Sequence, residues 1–75
     1  MKKEDYIEIA NEYKHQTEIL ASKIERKKEL LRGNSFTNSK DRIYVEKQLA
    51  SLEEMYDECF CTMHDLLRIA KGVRN

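Results

Sequence analysis

The chain has 75 residues, enough for one domain, and at that length a lone hydrophobic core is marginal unless it is cross-linked or shared with a partner. Charged residues make up 37% and hydrophobic ones 40%, with no proline and two glycines, a balance that fits long helices and argues against both a sheet-rich fold and a disordered chain. Fourteen basic side chains offset fourteen acidic ones, so net charge gives no argument for a nucleic acid or an anionic membrane as partner.

The opening residues lack the charged-then-apolar order of a secretory leader, and no apolar run approaches the roughly 18 residues that span a bilayer, which makes the cytoplasm the expected location. From Tyr6 onward a helical rhythm sets in. Tyr6, Ala10, Tyr13, Thr17, Leu20, Ile24, Lys27 and Leu31 follow one another at alternating steps of four and three, the spacing of a heptad seam in which only Thr17 and Lys27 are polar. A first helix over about 3–32 is predicted.

Residues 33–38 break the rhythm and read as the loop. Gly33 suits the left-handed position that often follows a helix. Thr37, Asn38 and Ser39 can each cap the next helix, and Asn38 is favoured because Asp41 then falls three residues on, near the positive helix end. Phe36 is expected to close the apolar bottom of the turn. So short a connection makes the two helices antiparallel neighbours.

The second helix, over about 39–72, carries an unbroken seam of Val45, Leu49, Leu52, Tyr56, Cys59, Met63, Leu66, Ala70 and Val73. Its tyrosine, cysteine and methionine members read as core packing. The pattern is that of an all-α chain, a single hairpin over 1–75 resembling a two-stranded coiled coil. Both seams are wider than a hairpin needs. Ile7, Ile9, Ala21 and Leu30 flank the first, and Met55, Phe60, Leu67 and Ile69 flank the second. A lone hairpin leaves Phe60, Leu67 or Ile69 wet at roughly 1.5–3 kcal/mol each, so dimerisation into a four-helix bundle, or a helical partner, is expected. Ile9, Phe60, Leu67 and Ile69 are the expected association surface.

Charges are unevenly spread. Lys23, Arg26, Lys27, Lys28, Arg32, Lys40, Arg42 and Lys47 cluster toward the loop, and counting all remaining acids except Glu25, Glu29, Asp41 and Glu46 toward the termini makes the loop end basic and the terminal end acidic. A twofold dimer with opposed ends would pair them. A secondary reading uses Arg26, Lys28, Lys40 and Arg42 as phosphate contacts of a small nucleic-acid-binding regulator, although interleaved acids argue against it.

Catalytic signals are weak. Glu12 and His15 have the Glu-x-x-His spacing of di-iron bundles, but their phase points away from the seam and no second copy of the motif exists. Asp57, Cys61 and His64 form a row on the outer face of the second helix, an open and unsupported set for zinc, so no metal or other cofactor is expected. Cys59 and Cys61 point about 200° apart and read as reduced thiols. There is no phosphate-cradling glycine loop and no nucleophile with a base at recognisable spacing, which points to a non-enzymatic interaction or structural protein.

Two helical-hairpin families offer comparisons. Glu46-Lys47-Gln48-Leu49-Ala50 with Leu52 and Tyr56 is similar in apolar spacing to the second helix of the small phosphatases that act on sporulation response regulators. Ala50 stands where that family has its acidic residue, so the activity is not carried over. The secreted hairpins with a Trp-x-Gly turn are similar in length and architecture, but here the turn reads Arg32-Gly33-Asn34.

Overall fold

Two helices, α1 over Lys3–Arg32 and α2 over Ser39–Gly72, pack against each other as an antiparallel hairpin in the computed structural model, which describes residues 2–33, 36 and 38–73. Each helix begins on a specific cap. The Lys2 backbone N–H donates to Asp5 Oδ2 at 3.0 Å, and Glu4 and Asp5 place negative charge in the first turn of α1, where the helix dipole favours it. Asn38 caps α2, its side-chain oxygen accepting the Asp41 N–H at 3.0 Å. Thr37, the competing cap, lies outside the described residues.

Gly33 departs from expectation. Its φ of −69° and ψ of −11° are right-handed, and its N–H still donates to Glu29 O at 2.9 Å, so Gly33 extends the right-handed turn of α1 and is not itself the left-handed residue. A Cβ here would stand 3.3 Å from Glu29 O, the spacing that the i→i−4 bond imposes on any residue at a helix end, so this conformation does not itself require glycine. Phe36 is half-buried at the turn.

The two heptad rows form the contact line. Ala10, Thr17, Leu20 and Ile24 are buried on α1 and Val45 and Ala70 on α2, and every other member of both rows is half-buried. Lys27 is among the half-buried ones, its aliphatic stem lying along the seam as long basic side chains can. Ile7 shares a cleft with Leu67 and Ala70, and Ala21 and Ile24 share one with Glu53 and Tyr56, which fixes the register of the hairpin. Seven-residue stepping at this register sets Thr17 level with Cys59.

What the hairpin lacks is a closed interior. Among the described residues no large side chain is fully buried, and Ala10 at 1% exposure and Ala70 at 2% are the most enclosed. The molecule is a rod of 58 × 14 × 13 Å with a radius of gyration of 17.0 Å, where a compact chain of this length would have about 11 Å. Ion pairs do not compensate. Arg32–Glu25, Arg42–Glu46 and Arg68–Asp65 each lie within one helix with both side chains at least half exposed, so each contributes little. Among the described residues no helix is long and apolar enough to cross a membrane.

Candidate interaction surfaces

A two-helix ribbon has two broad faces, and heptad geometry assigns residues to each. Positions just after one seam residue of each helix turn to one face, and positions just before the next turn to the other, because in an antiparallel pair like flanks meet like. On the first face lie Ile7, Lys14, Ala21 and Lys28 from α1. Glu46, Glu53, Phe60 and Leu67 join them from α2. Two open clefts run along it, one of about 360 Å³ between Ala21, Ile24 and Tyr56, the other of about 490 Å³ between Ile7, His64 and Leu67. Phe60 is 41% exposed and stands between Tyr56, stacked at 6.1 Å between ring centroids, and His64, tilted against it at 4.8 Å.

The second face carries Ile9, Gln16, Lys23 and Leu30 from α1. From α2 come Gln48, Met55, Thr62 and Ile69. Leu30, Met55 and Ile69 are exposed by 43–45%, while Ile9, Gln48 and Thr62 are half-buried. Thr62 turns its hydroxyl back onto its own helix, donating to Glu58 O at 2.9 Å, so even this polar side chain can leave water with a hydrogen bond made. One of these eight positions is charged; on the Phe60 face four of eight are.

The expected association surface therefore divides. Phe60 and Ile69 are nine residues apart, about 180° at 100° per residue, so Ile9 and Ile69 belong to one face and Phe60 and Leu67 to the other. Flank width was legible as apolar residues on both sides of each seam; the division needs the phase of each flank relative to the partner helix.

The end-to-end charge asymmetry is also corrected. Glu18, Glu53 and Glu54, assigned to the terminal end, lie on the loop side of the helix midpoints, which leaves the loop half with eight basic against seven acidic residues and the terminal half with six against seven. The tip itself remains basic. Its basic residues do not converge, however: Arg26 and Lys28 are two residues apart and point about 200° from each other, and Arg42 holds Glu46 at 3.2 Å.

Chemistry is no better gathered. Glu12 and His15 line a shallow outer surface with Glu8, Asn11 and Gln16, away from the seam. Cys61 and His64 are exposed, and the His64 ring lies against Phe60; among the described residues no three of His, Cys, Asp or Glu stand together as a metal site. No known family's model matches the chain, and neither curated proteins nor solved structures give a significant match.

Proposed function

We propose that this chain is a small non-enzymatic interaction protein that works as a self-associated helical hairpin, two copies forming a four-helix bundle whose surface engages another protein's helices. The observation that carries the reading is exposed area. The chain exposes 5960 Å², whereas a compact monomer of 9.0 kDa would expose about 4,850 Å². The excess, about 1,100 Å², is what one partner of a standard-sized to large interface removes from water. Apolar side chains on both faces supply the driving force, and charge depletion of one face lowers the desolvation cost.

The open clefts and the dispersed polar groups favour binding over catalysis, which needs convergent groups and a site that sheds water. The reading places the protein in the cytoplasm, where Cys59 and Cys61 would stay reduced. Thermal melting followed by circular dichroism over about a hundredfold range of protein concentration tests self-association, because only an oligomer melts at a temperature that rises with concentration. A concentration-independent melting temperature contradicts it.

A further inference from the structure

The geometry points to the Met55 face, not the Phe60 face, as the surface through which two copies of this chain pair, with their loops at opposite ends. The inference rests on the self-association proposed above and adds the face and the orientation. A second copy is the occupant argued for because the unburied area matches one partner's share of a stable interface and because the rim of this face is complementary to itself once inverted.

Charge selects the face. Interface cores are depleted of charge, and the Met55 face has Lys23 as its one charged position, whereas the Phe60 face would bury Lys14, Lys28, Glu46 and Glu53. The neutral residues also extend over the whole face, from Leu30 and Gln48 near the loop to Ile9 and Ile69 near the termini. On the Phe60 face the large apolar residues Ile7, Phe60 and Leu67 gather in the terminal half alone.

Charge also selects the orientation. The rim residues of the Met55 face stand three positions after its members, about 60° round the helix: Glu12, Ile19, Arg26 and the C-cap Gly33 on α1, Ser51, Glu58, Asp65 and Gly72 on α2. A twofold axis crossing α1 between Gln16 and Lys23 inverts the second copy end for end. Ile9 then lies opposite the partner's Leu30, and Glu12 opposite the partner's Arg26, a pair made twice by symmetry. Glu58 meets its own copy near the axis, one like-charge pair set against two opposite ones. With loops at the same end, α1 would lie over the partner's α2, and Glu12 would face the partner's Asp65 twice with no opposite pair in return.

The test uses the full chain and reads molar mass by light scattering, dimer dissociation constants by sedimentation equilibrium, and helicity by circular dichroism. Leu30→Asp and Met55→Asp should each weaken the dimer at least about tenfold with helicity kept, while Phe60→Asp and Leu67→Asp leave it within about threefold of the parent. Arg26→Glu and Glu12→Arg are exposed changes that spare the fold; each alone should weaken the dimer by about tenfold and the double reversal should restore it. Dimers lost in the Phe60 and Leu67 variants but kept in the Leu30 and Met55 variants overturn the face. Failure of the double reversal to restore binding overturns the orientation. A monomeric parent chain overturns the self-association reading itself, a result distinct from the other two.

Discussion

Thr17 donates its hydroxyl to the carbonyl oxygen of Lys14, three residues back in the same helix, at 2.6 Å. The carbonyl already belongs to the helix ladder, so the bond satisfies a hydroxyl that is 93% removed from water without linking α1 to anything else. Thr17→Val keeps the side chain's shape and removes a group whose burial is merely tolerated. It should raise stability by about 0.5–1 kcal/mol, seen as a higher melting temperature. A fall would mean that the hydroxyl has a partner beyond its own helix.

Asn38 starts α2 by accepting the Asp41 N–H, and the next turn has no other described cap. Asn38→Ala should cost about 1 kcal/mol, a drop of about 4–8 °C for a chain of this size, whereas Asn38→Asp should leave stability nearly unchanged. Equal losses in both variants would contradict a capping role.

Ala10 and Ala70, the two most enclosed side chains among the described residues, set how closely the helices approach in the terminal half. Replacing either by Leu adds volume where neither helix can yield without splaying, at a cost of about 1–3 kcal/mol. The same change at Ala50, exposed on α2, should cost less than about 0.5 kcal/mol. The comparison is a urea titration of the three variants side by side.

Arg26, Lys28, Lys40 and Arg42 do not share one direction, and Arg42 is engaged by Glu46. Fluorescence anisotropy with labelled duplex and single-stranded DNA and RNA at low salt should therefore show no specific binding. Salt-sensitive binding lost on replacing these four by glutamine would restore the nucleic-acid reading.

Both seams were legible in full, because burial on one stripe of a helix leaves a three-four rhythm that few other constraints produce. The Asn38 cap was legible for a similar reason: an acid three residues after an Asn before a periodic run is a local signal. Gly33 was misread because glycine after a helix usually marks a positive φ, whereas here it continues the right-handed turn and bonds Glu29 O as any helical residue would. The placement of the surplus apolar residues was half legible. Composition showed that Ile9, Phe60, Leu67 and Ile69 are surplus to one seam, but the face each occupies depends on the antiparallel register, which no single helix carries. The charge division failed for a plainer reason: helices over 3–32 and 39–72 already put Glu18, Glu53 and Glu54 on the loop side of their midpoints, and counting them with the termini exaggerated the asymmetry.

Molar mass by light scattering behind a sizing column, over about a tenfold range of concentration and at low and high salt, tests the central claim most directly. A self-associated hairpin elutes at twice the 9.0 kDa chain mass, and its dimer weakens as salt screens the Glu12–Arg26 pairs. A fully helical species at 9.0 kDa under every condition would contradict it.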